Sequence, residues 1–259
     1  MTNYYFVGTL LPELHFGQKP ELGFRAFNQL LKDNLSLSDY AKTRIFRNLY
    51  DILNLRAYWT EEPFDIMGNL NSTEMEEALV TRSELPPYVF EFLDKYENDE
   101  ERLRHYPELL AIFFRKEIDE SSGFMKACLK MERELRLVLL AFRAKKLGRD
   151  LYKELQYEDP EEDLIAQILA QKDAPQYEPP ERYAEIKNLL IENQDSPLNL
   201  QKALLEYRFQ KIEELLGLDM FSIDRILGYL IELMMVEKWQ HLDEQKGHEI
   251  IESMFKDKS

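Results

Sequence analysis

Four side chains near the C-terminus have spacing that could hold a metal. Glu237, His241, Glu244 and His248 fall at i, i+4, i+7 and i+11, on one face of a helix. Carboxylate and imidazole ligands so placed can hold a divalent ion, as in a metal enzyme. The same stripe also fits the solvated face of an amphipathic helix. That reading is preferred, because a metal site inside a helical bundle draws ligands from facing helices as well. Only His15 and His105 remain as further histidines. A second constellation is cationic: Arg143, Lys145, Lys146, Arg149 and Lys153 cluster where a helix should end. Cations there complement the helix dipole. The cluster therefore serves either as a structural cap or as a docking site for an acidic partner.

Other chemistry lacks its residues. A phosphate cradle needs closely spaced glycines so that backbone amides can approach the phosphates. The nearest pair, Gly17 and Gly23, is not followed by Lys-Ser or Lys-Thr, so ATP binding and hydrolysis are not expected. No Gly-x-Ser-x-Gly elbow and no His-Glu-x-x-His occur. The single cysteine, Cys128, sits in an apolar helical pattern and reads as a buried, inert thiol. One cysteine allows no internal disulfide, which suits a reducing cytosol. The expectation is a chain without catalytic residues and without a cofactor.

The elements that must position these residues are helical. Of 259 residues only 9 are glycine, 44% are hydrophobic, and good helix formers dominate. A net charge of −16 repels nucleic acid and anionic headgroups; it reads first as a solvated acidic surface that aids solubility, and otherwise suits docking to a basic protein surface. The longest aliphatic-aromatic run, Leu137–Phe142, is far short of the roughly 20 residues that span a bilayer. The N-terminus lacks the basic region and cleavage site of a signal peptide. A cytoplasmic protein is expected.

Residues 4–16, broken by Gly8 and Pro12, read as an extended or irregular arm. Helices are expected over 22–32, from Ser36 or Ser38 to Trp59, and from Asn71, Pro87 and the polar hinge 98–101. A long helix is expected over 124–147. It is apolar on every face across 137–142, and Gly148 stands at its C′ position. Further helices are expected over 160–170, 181–192, 197–216 and 222–256. The proline-bearing stretch 171–180 reads as a linker. This divides the chain into an arm and first unit (1–70), a middle unit (71–170) and a C-terminal unit (181–259), an all-α array.

Three segments suggest related helix ends. They are Glu134…Arg143-Ala144-Lys145-Lys146…Gly148, then Asp51-Ile-Leu-Asn54-Leu-Arg56, then Glu232 and Glu237-Lys238-Trp239 closing on Lys246-Gly247. The first resembles the Glu-to-Arg-x-Lys helix ending of the funnel-shaped C-type rotor component of V-type and archaeal-type ATPases (d-type in eukaryotes). The second resembles the acid-x-x-Asn-Leu-Arg portion of the same motif, and the third is a degenerate copy. Residues 4–14, Tyr-Tyr-Phe-Val-Gly-Thr-Leu-Leu-Pro-Glu-Leu, resemble the start of a bacterial family encoded among V-type ATPase genes. The resemblance implies three helical units forming a funnel. It also implies a non-catalytic rotor part that couples central-stalk subunits to the membrane proteolipid ring in proton or sodium transport. It would lie peripherally on the inner membrane, with no small-molecule substrate and no nucleic acid. Arg143, Lys145, Lys146 and Arg149 are then candidate interface residues. A helical assembly or adaptor protein and a metal enzyme are the alternatives.

Overall fold

The computed structural model describes the backbone of residues 4–256 and the side chains of residues 4–242. Among them are twelve α-helices, one 3-10 turn and no strand. The all-α expectation holds. No described helix is long and apolar enough to cross a membrane.

The chain forms two compact units. One is a continuous segment, Thr43–Ala184; the other joins Met1–Lys42 to Glu185–Ser259. The boundaries therefore fall at 42/43 and 184/185, where the sequence suggested divisions near 70 and across 171–180. The stretch 171–180 does not behave as a linker. Tyr177 is buried, with its ring 4.9 Å from that of Phe142, and the Gln171 side chain bonds the backbone of Glu178 in both directions. Prolines punctuate this stretch, but a buried aromatic ties it down.

The continuous unit holds most of α3 (Leu37–Thr60), then α4 (Ser72–Thr81), α5 (Pro87–Lys95), α6 (Asp99–Glu120), α7 (Gly123–Lys146), α8 (Leu151–Glu154) and α9 (Asp163–Ala170). Local chemistry sets several of the helix starts. Asn71 and Glu74 form a reciprocal capping box at the start of α4. Asn98 accepts from the Glu101 amide, so the expected polar hinge is the N-cap of α6. Helices α6 and α7 pack as a hairpin over the two-residue link Ser121-Ser122. Gly148 has φ +62, with its amide on the Lys145 carbonyl and the Arg149 amide on the Ala144 carbonyl. This closing pattern needs a left-handed residue, so α7 stops where the glycine stands.

The discontinuous unit holds α1 (Tyr5–Leu10), α2 (Phe24–Asn34), the start of α3, then α10 (Ala184–Glu192), α11 (Pro197–Leu215) and α12 (Ile223–Lys256). The expected irregular arm is partly helical. Gly8 does not break α1, because the glycine serves close packing: a Cβ there would lie 2.7 Å from the Phe221 ring. Helices α11 and α12 pack as a second hairpin. Every residue from 226 to 236 of α12 is buried. The helix enclosed on every face is therefore this one. On α7, Leu139, Leu140 and Phe142 are only half-buried.

The four longest helices, α3, α6, α7 and α12, each bury a single carboxylate among the described residues: Asp51, Glu117, Glu132 and Glu232. A buried charge survives only with partners that replace its water. Asp51 and Glu117 have such partners, the Leu70 amide with the Asn69 side chain and the Tyr88 hydroxyl, whereas one oxygen each of Glu132 and Glu232 has no hydrogen bond.

Candidate functional site

The end of α7 carries the predicted interface residues, and the structure separates them. Lys145 is structural. Its Nζ donates to the carbonyls of Lys172 (2.6 Å) and Ala174 (2.7 Å), closing the turn that follows α9. Arg143 and Lys146 are exposed, and Arg149 lies beyond Gly148 with Glu154 at 3.4 Å. Between the cations, Leu147 and Tyr152 are 53% exposed, and Lys172 Nζ lies 5.4 Å from the Tyr152 ring centroid. The helix body upstream buries Leu135, Leu137, Val138 and Ala141. The result is a rigid helix end presenting cations and two apolar side chains to solvent. Such a surface fits an acidic protein face with apolar anchor points.

The Asp51 motif does different work. The Arg47 guanidinium donates to the carbonyls of Met67 (3.2 Å) and Gly68 (2.6 Å). Asp51 accepts the Leu70 amide at 3.0 Å and the Asn69 side-chain amide at 2.7 Å. Asn54 exchanges bonds of 2.9 and 2.8 Å with the backbone of Asp65. A single face of α3 thus clamps the loop 65–70. Burial pushes the Asp51 carboxyl above its usual range, opposed by the Asn69 and Leu70 hydrogen bonds and by the Arg47 charge. Arg56, the last residue of the quoted motif, is exposed.

The other two motif copies shift in register. The buried acid of α7 is Glu132, while Glu134 lies outside and accepts from Tyr183 Oη (2.6 Å) and Arg182 (2.9 Å). Two residues are about 200° apart around a helix, so both cannot face one core. On α12 the buried acid is Glu232. Only the segment 134–148 is a helix end: α3 runs to Thr60, and α12 runs through Lys246 and Gly247.

Of the four residues of the metal stripe, the structure describes the side chains of Glu237 and His241. Glu237 Oε1 accepts the Phe24 amide at 2.5 Å and so caps the N-terminus of α2, which has no side-chain cap of its own. His241 is exposed, and Glu244 and His248 lie outside the described side chains. No group of three or more metal-capable side chains occurs among the described residues. Cys128 is buried, and burial, with Glu132 nearby, pushes its thiol well up. The expected inert thiol fits this setting.

Two polar knots have no counterpart among the sequence-based expectations. On α6, His105 stacks on Tyr96 at 4.3 Å, and its Nδ1 lies 2.5 Å from Tyr157 Oη. Glu108 accepts from Tyr96 Oη and Lys95 Nζ, each at 2.6 Å. Burial works against the Glu108 carboxylate, but these two donors outweigh it and hold its pKa low. The second knot is an ion network: Glu158 receives Arg133 at 2.7 Å and Arg136 at 2.5 Å, and Glu162 receives Arg133 at 2.6 Å. The i, i+3 spacing of His105 and Glu108 is visible in the sequence. The partners 52 residues away in one knot and 22–29 in the other are not.

A family model described as "Protein of unknown function (DUF2764)" matches residues 1–258. The chain belongs to this family. A Chlamydia trachomatis protein is 29% identical over 263 residues, covering 99% of this chain and 98% of its own. A Chlamydia muridarum protein is 28% identical over 262 residues, with the same coverage. A Chlamydia pneumoniae protein is 27% identical over 257 residues, covering 97% of each. All three are named as uncharacterized proteins. No solved structure matches the chain. Similarity end to end at this level marks the whole DUF2764 chain, both units included, as the inherited object.

Proposed function

We propose that the protein is a non-catalytic coupling part of a V-type ATPase, joining central-stalk subunits to the membrane proteolipid ring through protein contacts. One observation carries this reading. The segment whose residues resemble the helix ending of the C-type rotor component, 134–148, closes a long, well-packed helix and presents Arg143 and Lys146 at the surface. A rotor part must transmit torque, so its contact residues should stand on stiff, well-packed elements. The all-helical body supports that role.

A helical adaptor associated with the same ATPase is the second reading. It is favoured by the fact that only one of the three expected helix ends closes where the resemblance puts it. Purification of the native ATPase in mild detergent separates the readings. A rotor part stays in stoichiometric amount through washing and is cross-linked from Lys146 to a stalk protein. An adaptor is lost from an ATPase that still couples. An ATPase purified before any wash with none of this protein attached overturns both.

A further inference from the structure

Glu232 is 1% exposed, in the middle of a stretch of α12 whose residues 226–236 are all buried. One of its oxygens has no hydrogen bond. Arg225, Gly228 and Glu232 fall at i, i+3 and i+7, on one face of the helix. That face meets the last turn of α11. The Arg225 guanidinium lies 3.4 and 3.5 Å from the Glu213 carboxylate, and a Cβ on Gly228 would lie 2.5 Å from Leu216. Glu213 also reaches Glu232 and shares a hydrogen bond with it.

Two carboxyl groups can share a hydrogen bond only when one of them carries a proton. Glu213 is 45% exposed and Glu232 is enclosed, so charge costs far more on Glu232 and the proton sits there. Burial, reinforced by the charge and hydrogen bond of Glu213 and opposed by Arg225, pushes Glu232 up to about 8. The other neighbours leave this arrangement alone. Tyr229, one turn back on α12, is buried and pushed up to about 12, so its hydroxyl stays neutral. The α2 side is apolar, with Phe24, Phe27 and Leu31 buried and the Phe27 ring 5.0 Å from that of Tyr229. Glu21, ahead of α2, acts on the Tyr229 hydroxyl.

The last turn of α11 leads into residues 216–222, which support α1. The Tyr4 amide donates to the Phe221 carbonyl at 2.9 Å, and a Cβ on Gly8 would lie 3.1 Å from the Met220 carbonyl. The end of α11 thus carries a second element with it.

We propose that the Glu213–Glu232 pair is a proton-operated latch between α11 and α12. The shared proton holds the end of α11 down, and its loss releases that end together with the 216–222 segment on which α1 rests. Without the proton, two carboxylates face each other, and the buried one regains water only if the last turn of α11 lifts away. Leu205, Tyr207 and Ile212 are buried and keep the body of α11 in place. The closed form is favoured in full below pH 4.5, weakens as pH rises, and has lost this support above about 8. The latch is independent of the ATPase reading.

Residue-resolved hydrogen exchange on the full chain tests it, with rates corrected for the intrinsic effect of pH. From about pH 6 to about pH 8, protection at amides 213–216 and at Tyr4 should fall at least about tenfold, while amides 201–207 and 228–234 keep theirs. Glu232→Gln should abolish the fall, because its amide donates to Glu213 at every pH. Glu213→Gln should do the same, because the introduced amide donates to the ionised Glu232; it decides alone if the first variant does not fold. Unchanged protection at the α11 end of the parent overturns the proposal, and so does a fall that spreads equally to 201–207 and 228–234. A fall that persists in either folded variant overturns it as well.

Discussion

Gly68 is the position where one methyl group should do the most damage. A Cβ there would sit 2.6 Å from Asp51 Oδ1 and 2.8 Å from Asn54 Nδ2, against an ordinary contact of 3.4 Å. To accept alanine, loop 65–70 must retreat from α3 by 3.4 − 2.6 = 0.8 Å. That retreat would stretch the 3.0 Å bond from the Leu70 amide to Asp51 beyond hydrogen-bonding range. Overpacking costs about 1–3 kcal/mol, and stranding a buried amide about 1–3 more. Gly68→Ala should therefore destabilise the continuous unit by about 3 kcal/mol. Trp59 lies in that unit and Trp239 in the other. Urea titration of Trp fluorescence in a Trp239→Phe background thus reads the relevant unit alone. Asp51→Ala should cost about 2–4 kcal/mol through the lost Leu70 and Asn69 bonds. In that background Gly68→Ala should cost at least about 1 kcal/mol less, because the carboxylate it collides with is gone. A Gly68→Ala cost below about 0.5 kcal/mol, or strict additivity with Asp51→Ala, would refute the clamp.

Three further outcomes are expected. Burial, reinforced by the charge and hydrogen bond of Glu213 and opposed by Arg225, pushes Glu232 up to about 8 from 4.5. A folded-state pKa above the unfolded one means stability present below pH 4.5 and lost as pH rises through about 8. Glu232→Gln should flatten that fall in melting temperature. Glu158→Gln should cost about 2–3 kcal/mol in urea titrations, since it leaves the half-buried Arg136 without its counter-charge and Arg133 with Glu162 alone; a loss under about 1 kcal/mol would show the network to be ornamental. Lys145→Met should lower stability by about 1–2 kcal/mol by freeing the Lys172 and Ala174 carbonyls, whereas Lys146→Met should leave melting unchanged. If docking to an acidic partner follows Lys145 rather than Lys146, the division of labour at the α7 end is wrong.

Local signals were legible because their physics is local. Asn71, Asn98 and Gly148 each satisfy or terminate backbone bonds within a few residues, so they can be read from the chain alone. Helical spacing likewise disclosed most of the twelve helices. It missed α1, where Gly8 reads as a breaker until Phe221, more than two hundred positions away, explains it. Of the metal stripe, only the Glu237 and His241 side chains are described. Helical spacing correctly puts Glu237 and His241 on one helix, but the Glu237 carboxylate is engaged by the Phe24 amide, 213 positions distant.

The sequence by itself determined that the chain is helical, where most helices begin and end, and that no described helix spans a membrane. Tertiary structure alone decided which carboxylates are buried, choosing Glu132 over Glu134 and Glu232 over Glu237. It decided that Lys145 is structural while Arg143 and Lys146 are exposed, that Tyr177 is core, and that residues 1–42 fold with 185–259. The physical reason is range. Helix propensity and capping act over three or four residues, whereas burial depends on which distant segment arrives on a given face.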